Sequence, residues 1–241
     1  MKTFPSIAGR RKGALVSFLA AGLILALAAG CASTRHVKQS EKDFSGFLGD
    51  YSQLQPGAEG QANFVYANPS APWKSYDKVY IRPVQLWQAE SEQSSLGSVS
   101  FEDKQMLVDY LHVALAGSLS KNFKLVDKAG PGVLVVSAAV TEAGAAKPVV
   151  NLLSTVTPVG LVIGAGKAAV TGKSPGVGSV SVEAEFTDGV SGKRVLAVVD
   201  SRAGTKRVGA KFGDTWSDVH EAFKFWSEKV NARLVSLKSG N

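Results

Sequence analysis

A serine between glycines is the sequence's nearest approach to a catalytic nucleophile. Residues 172–176 read GKSPG and fit the G-x-S-x-G pattern, in which Ser174 would attack an acyl carbon. In that pattern the backbone N–H of the residue after the serine stabilises the oxyanion, and Pro175 has no N–H. The pattern also requires a helix after the serine, whereas the residues that follow alternate as in a strand. These features argue against acyl chemistry at Ser174.

A glycine-rich stretch just before this serine fits a nucleotide-binding pattern. Residues 164–169 read GAGKAA, and Glu183 lies near the distance at which a ribose-binding acid is expected. That pattern needs a continuous helix whose amino end receives the pyrophosphate, and Pro175 interrupts the segment. A phosphate loop ending at residues 172–174 fails as well, because Lys167 occupies the position of its first glycine. We predict no cofactor.

Paired carboxylates supply the third candidate. Glu183 and Glu185 lie two residues apart on one predicted strand, so both side chains point to the same face. A glycosidase needs two carboxylates that converge on a cleft from separate elements, and this spacing on a hairpin is typical of a solvated face. Together with Ser174, the pair is the only basis for an alternative function, a hydrolase that acts on envelope material.

The histidines predict no metal site. They are scattered along the chain without the spacing of metal ligands: His36, His112 and His220. Each is interpreted as a structural or solvated side chain.

The first thirty residues have the pattern of a secretory leader. Basic residues near the start precede an uncharged run over residues 14–29 that is apolar except for Ser17 and ends in small residues before Cys31. This order of charge, apolar core and small residues is typical of a signal peptide. The run is shorter than the ~20 residues that a spanning helix needs. We predict a signal peptide over residues 1–30.

The end of this leader resembles the lipobox of bacterial lipoproteins. Residues 27–31 read LAAGC, and Cys31 is the single cysteine of the chain. The resemblance implies that a lipid is attached to the Cys31 thiol, that the leader is cut just before it, and that the new amino terminus is acylated. Ala32 follows in place of the aspartate that resembles an inner-membrane retention signal, so the resemblance implies the periplasmic face of the outer membrane.

Charge and cysteine content exclude several other classes of protein. The chain has 27 basic and 20 acidic residues, but the leader holds four of the basic ones, which leaves 23 against 20 in the rest. These are not arranged as a basic stripe with interleaved aromatic residues, so we predict no nucleic-acid partner. With Cys31 lipidated, no thiol remains for a disulfide or a metal site.

Hydrophobic periodicity predicts the elements of one globular domain over residues 43–241. Helical stripes cover 100–120 and 215–238, each behind a capping box, and strands are expected at 78–87, 123–127, 133–143, 179–186 and 194–202. The predicted class is α+β, a mixed or mainly antiparallel sheet of four to five strands packed against two long amphipathic helices. A lipidated cysteine and polar tether, residues 31–42, precedes the domain.

Residues 44–57, FSGFLGDYSQLQPG, carry a second resemblance. Their aromatic and leucine spacing predicts a short helix that ends at Pro56. The stretch is similar to the opening of a family of lipoproteins of unknown function from Gram-negative bacteria, and further similar pieces lie at residues 76–84, 130–134 and 152–172 and around Trp226. The resemblance implies a single lipoprotein domain and no established activity.

These observations favour a non-enzymatic module that lipid on Cys31 anchors to the membrane and that binds another envelope component. The partner is expected to be an envelope protein or a peptidoglycan-associated molecule. The apolar stretch over residues 149–170 either closes the core or forms a docking or membrane-active surface. Asn151, Pro158 and Lys167 argue against a membrane span there.

Overall fold

The computed structural model describes residues 34–88, 95–145, 177–205 and 216–240, which belong to one compact unit. Cys31, Ser174 and residues 149–170 lie outside the described residues, and so does the glycine-rich stretch at 164–169. Among the described helices, none is long and apolar enough to cross a membrane.

One mixed sheet of nine strands organises the described residues. The strands are β1 Thr34–His36, β2 Gln55–Pro56, β3 Phe64–Ala67, β4 Lys78–Ile81, β5 Gln85–Leu86, β6 Lys124–Leu125, β7 Val133–Gly144, β8 Ser179–Asp188 and β9 Arg194–Gly204. Their order is β2-β3-β9-β8-β7-β4-β6, with β1 also on β9 and β5 also on β7. β7, β8 and β9 are antiparallel neighbours, while β4 and β5 pair with β7 in parallel.

The predicted α+β class and mixed sheet are confirmed, but the predicted four to five strands understate the sheet. β8 alternates between apolar and polar residues, and β7 and β9 have apolar runs of four and five residues near their start, so these long strands can be recognised. β2, β5 and β6 have two residues each, which is too short for an alternating pattern. Pro83 cannot donate to a ladder and separates β4 from β5, so the strand predicted over residues 78–87 is two strands.

Both predicted helices are present. Helix α1 spans Phe101–Leu119, and its N-cap Ser100 accepts a hydrogen bond from the Asp103 amide at 3.1 Å. Helix α2 spans Ser217–Ser239 and ends at Gly240 in the left-handed conformation, with φ of +86°. The two helices contact each other and cover one face of the sheet, which we call the first face.

Residues 44–54 cover part of the opposite face, which we call the second face, and they are not helical. We call this segment the aromatic loop. Gly46 and Gly49 have φ of +89° and +68°, which no α-helix allows, so the predicted helix over residues 44–57 is wrong. The apolar spacing that suggested a helix instead serves an irregular segment that packs on β3 and β9.

The polar tether predicted over residues 31–42 contains an ordered strand. Thr34, Arg35 and His36 pair antiparallel with residues 202–204 of β9. Thr34 is 3% exposed, because the Arg202 side chain binds both its hydroxyl and its carbonyl oxygen. The domain therefore includes residues that the sequence pattern assigns to a linker.

Candidate functional site

An apolar cavity of about 350 Å³ lies between the first face of the sheet and the two helices. The way in which residues of β7, β8 and β9 lie opposite one another explains why this cavity forms. Ala138 of β7 lies opposite Ala184 of β8, and Ala184 lies opposite Val198 of β9. The two alanines of this row are flanked on the same face by larger side chains, so the helices bridge a depression: Val136, Phe186 and Leu196 on one side, Val140 and Val182 on the other.

Burial separates the interior of the cavity from its mouth. Leu111 and Leu115 of α1 and Trp226 of α2 line it and are buried, as are the larger sheet residues. Exposed lining residues mark the mouth, and they come from the β2–β3 turn and from the outer side of α2: Gly60, Gln61, Lys229, Ala232 and Arg233. The site is thus an apolar interior that opens beside two cations.

The turn at this mouth requires glycine at one position. A Cβ on Gly57 would lie 2.0 Å from the Ala62 carbonyl oxygen. The Gly57 amide donates to the Asn63 carbonyl at 2.9 Å, which closes the turn at its base. The absence of a side chain at Gly57 therefore allows the tight turn that forms one side of the mouth.

Asp200 is the single acidic residue among the described residues that line the cavity, and it is 3% exposed. Its Oδ2 accepts from the Trp226 indole at 2.7 Å, and its Oδ1 accepts from the backbone and side-chain amides of Asn63, each at 3.1 Å. His36 Nε2 lies 3.1 Å from the same Oδ1. These contacts satisfy the carboxylate and join β1, the mouth turn and α2.

The electrostatics at this end of the cavity follow from burial. Desolvation raises the pKa of Asp200 above its ordinary value, against the lowering effect of the Trp226 hydrogen bond and of His36. Burial also lowers the pKa of Arg202, while the nearby Asp200 acts in the opposite sense. The Arg202 guanidinium lies 3.7 Å from the centre of the Phe225 ring, a cation–π contact beside the cavity.

Glu183, a candidate in the hydrolase alternative, points to the second face of the sheet and away from the cavity. It is 1% exposed, so its interpretation as part of a solvated face is wrong. Its two oxygens accept from the Tyr51 hydroxyl at 2.6 Å and from the Ser45 amide at 2.8 Å. Burial and the Glu183 hydrogen bond raise the pKa of Tyr51 to about 12. Glu183 thereby fixes the aromatic loop to β8.

Glu185 has a similar structural task. Its Oε2 accepts from Arg194 Nε at 2.9 Å, and the other guanidinium nitrogens donate to the carbonyl oxygens of Leu48 and Asp50. Both carboxylates hold the aromatic loop, which also contributes the stacked rings of Phe44 and Tyr51, 4.3 Å apart. The two glutamates do not converge on a cleft.

The histidines lie in three separate places. His36, predicted to be solvated, pairs with Asp200, whereas His220 stacks on Tyr110 with ring centres 4.0 Å apart. His112 is half-buried on α1. Within the described part of the chain, no group of three or more potential ligands could hold a metal ion.

Sequence reasoning missed the cavity and the cations at its mouth. Lys229 and Arg233 are four residues apart on α2, a spacing that places them on one side of the helix. That signal is visible in the sequence, but it marks a mouth only once α2 is placed over the row of Ala138, Ala184 and Val198. Sequence patterns predicted the long strands β7, β8 and β9, but not the register in which they pair, which depends on the fold.

Comparisons with solved structures and curated sequences set this fold in context. The chain is similar to the PelC dodecamer from Paraburkholderia phytofirmans, with 15% identity, 70% of this chain and 94% of that chain covered, and a TM-score of 0.37. It is similar to protein XCC0632 of the DUF330 family from Xanthomonas campestris, with 11% identity, 72% and 92% covered, and a TM-score of 0.38. Lipoprotein GNA1162 from Neisseria meningitidis matches with 11% identity, 68% and 99% covered, and a TM-score of 0.31. A comparison with curated proteins finds no match.

These TM-scores are too low to carry the names or assemblies of the neighbours over to this chain. A family model shows more, because it matches residues 43–230. This range includes the aromatic loop, all of α1, residues 217–230 of α2 and eight of the nine described strands. The chain belongs to the family described as a protein of unknown function, DUF3313.

Proposed function

We propose that this chain is a non-enzymatic, lipid-anchored module of the cell envelope that binds an apolar envelope component in the cavity between the sheet and the two helices. The anchor is the lipid on Cys31, and the location is the periplasmic face of the outer membrane. The cavity is the observation that carries the binding function. Its volume of about 350 Å³ falls within the ~300–1,000 Å³ of small-molecule sites.

Packing arguments support an occupant. Protein interiors contain few voids larger than a water molecule, because unfilled space forfeits dispersion contacts. Apolar engineered cavities stay dry, and one of ~150 Å³ binds benzene. The described interior is lined by leucine, valine, alanine and aromatic side chains, and the Asp200 carboxylate is already satisfied by hydrogen bonds. Such an interior favours an apolar guest over water.

The position of the lipid anchor supports a site close to the bilayer. Only residues 32 and 33 separate Cys31 from Thr34, the first residue of β1. Three chain steps span at most about 11 Å, even when fully extended. A protein anchored at Cys31 would therefore hold β1, and with it the Asp200 end of the cavity, near the membrane surface. Apolar envelope molecules are abundant there.

Filling the cavity tests the proposal. The double substitution Ala138→Leu and Ala184→Leu replaces the two alanines on the floor of the cavity by larger side chains. These side chains should fill the cavity and exclude the occupant. Protein purified from its own membranes is extracted with organic solvent, and the bound molecules are identified by mass spectrometry. Ala116→Leu on α1, which does not line the cavity, is the matched control. We expect a molecule in wild type and in the control that the filled variant lacks; identical extracts from all three would contradict the proposal.

A further inference from the structure

The chemistry at the mouth narrows the class of occupant. Lys229 and Arg233 both line the cavity and are both exposed, four residues apart on α2. Neither forms a salt bridge with an acid among the described residues, and the Lys229 ammonium lies 5.5 Å from the centre of the Phe225 ring. The two side chains therefore present positive charge at the entrance to an apolar interior.

The interior is unsuited to a charged end group. Asp200 lies there with its oxygens occupied by Trp226, Asn63 and His36. A second anion placed beside this carboxylate would be repelled in a medium of low dielectric constant. A cation could approach Asp200 only by displacing those partners. A guest with one charged end would thus place its chain inside and its charge at the mouth.

Resting on the proposed binding function, we propose that the occupant is a single-chain carboxylate of the fatty-acid class, with its chain in the cavity and its carboxylate between Lys229 and Arg233. The planar guanidinium of Arg233 can bind both oxygens of a carboxylate, and Lys229 adds a second charge. By proportion with the ~150 Å³ that holds the six carbons of benzene, the cavity has room for about a dozen non-hydrogen atoms. A medium-length chain fits this space.

Three probes with one chain length and different end groups test the charge selection. Calorimetry would compare decanoate, decanol and decyltrimethylammonium on the chain from residue 31 onward with Cys31→Ser, at a pH at which decanoate is ionised. Exposed ion pairs contribute little each, so decanoate should bind about two- to thirty-fold more tightly than decanol. The cationic probe should bind most weakly, and added salt should reduce the preference for decanoate.

Variants of α2 test whether Lys229 and Arg233 cause the preference for a carboxylate. Lys229→Gln with Arg233→Gln should bring decanoate down to the affinity of decanol while leaving decanol binding unchanged. The control is Lys224→Gln with Lys238→Gln, which removes two positive charges from the same helix. Neither lysine belongs to the described lining of the cavity, so this variant should still bind decanoate more tightly than decanol. Within a series of carboxylates, affinity should rise about fourfold per methylene and level off near a dozen carbons.

The outcomes distinguish this inference from the function on which it rests. Equal binding of decanoate and decanol, or a preference that survives loss of Lys229 and Arg233, would overturn the carboxylate assignment and leave apolar binding in place. Binding of none of the three probes would overturn both, since the cavity would then be closed by protein.

Discussion

Glu183 offers the sharpest test of how the second face of the sheet is held together. The carboxylate accepts hydrogen bonds from Tyr51 and Ser45, and a bond to a charged acceptor contributes ~1.5–3 kcal/mol. Two such bonds set an upper range of about 3–6 kcal/mol, which the desolvation of the buried charge reduces. Tyr51 and Ser45 are only half-buried, so water can replace part of what is lost. We therefore expect Glu183→Ala to lower the free energy of unfolding by ~2–4 kcal/mol.

Glu183→Gln refines this test because it keeps the shape of the side chain. The amide oxygen can still accept one of the two bonds, while the amide nitrogen meets the other donor, so we expect a loss of ~1–2 kcal/mol. Glu185→Gln is the matched control on the same strand and face. Its bond to Arg194 is partly exposed, and its loss should cost less than ~1 kcal/mol.

Urea unfolding measures the free energy of unfolding of each variant, and hydrogen exchange shows which amides lose protection. Loss of the Glu183 acceptor should reduce protection of the Ser45 amide, while the amides of α1 keep theirs relative to global stability. A cycle with Tyr51→Phe should give a coupling free energy of ~0.5–3 kcal/mol, since the two side chains are in direct contact. If Glu183→Gln matches wild type in stability and in Ser45 exchange, the idea that this carboxylate fixes the aromatic loop is wrong.

Three further predictions concern the anchor and the titrating groups. Cys31→Ser should abolish incorporation of labelled palmitate and release the protein from the membrane fraction, because stable anchoring takes more than one acyl chain; equal labelling of wild type and variant would contradict the lipid site. Burial raises the pKa of Asp200 in the folded state, so its contribution to stability is complete below the unfolded pKa of ~3.9 and falls as the pH rises through the folded value. Asp200→Asn cannot ionise and should lack this decline in pH-dependent unfolding; parallel curves would contradict it. Burial and a hydrogen bond to a carboxylate raise the pKa of Tyr51 and of Tyr76, whose hydroxyl donates to Asp188 Oδ2 at 3.0 Å, to about 12, against ~10 for unfolded tyrosine. The stability that these hydrogen bonds give is therefore lost as the pH rises from about 10 through that value. Tyrosinate absorbance should show both groups ionising late, and Tyr51→Phe should remove one of them.

Sequence periodicity predicted the elements that are long enough to repeat their pattern. The apolar stripes of α1 and α2, the alternation over residues 179–186 of β8 and the apolar run near the start of β9 are such patterns, and each predicted element appears in the structure. The helix predicted over residues 44–57 is wrong because the apolar residues of the aromatic loop happen to recur at helical spacing. Gly46 and Gly49 were the contrary signal, since their positive φ values permit turns that a helix does not.

Long-range contacts account for what the sequence could not predict. Glu183 alternates with apolar residues and carries a charge, so a solvated position is the natural interpretation. Its partners Tyr51 and Ser45 lie 132 and 138 residues earlier in the chain, and no local pattern connects them. Ser174 and Cys31 lie outside the described residues, so the predictions for both remain predictions.

The two faces of the sheet are closed by different means, and the difference bears on why a cavity persists. The aromatic loop packs on the second face and is held by hydrogen bonds to charged side chains, whereas α1 and α2 bridge the two alanines, Ala138 and Ala184, on the first face. A closed, dry void of this volume would cost about 8 kcal/mol on the slope found for engineered cavities. That figure is comparable to the ~5–15 kcal/mol stability of a typical domain, so a guest that offsets it should stabilise the fold.

Ligand-dependent stability then connects the fold to its proposed function. A guest that binds only the folded state adds ~2.7 kcal/mol when present at a hundred times its dissociation constant. Decanoate should therefore raise the midpoint of thermal unfolding of wild type, and raise it with concentration. In Ala138→Leu/Ala184→Leu the same cavity is filled by covalent side chains, so the midpoint should no longer respond. If decanoate raises the midpoint of both proteins equally, it binds elsewhere on the surface, and the cavity is not its binding site.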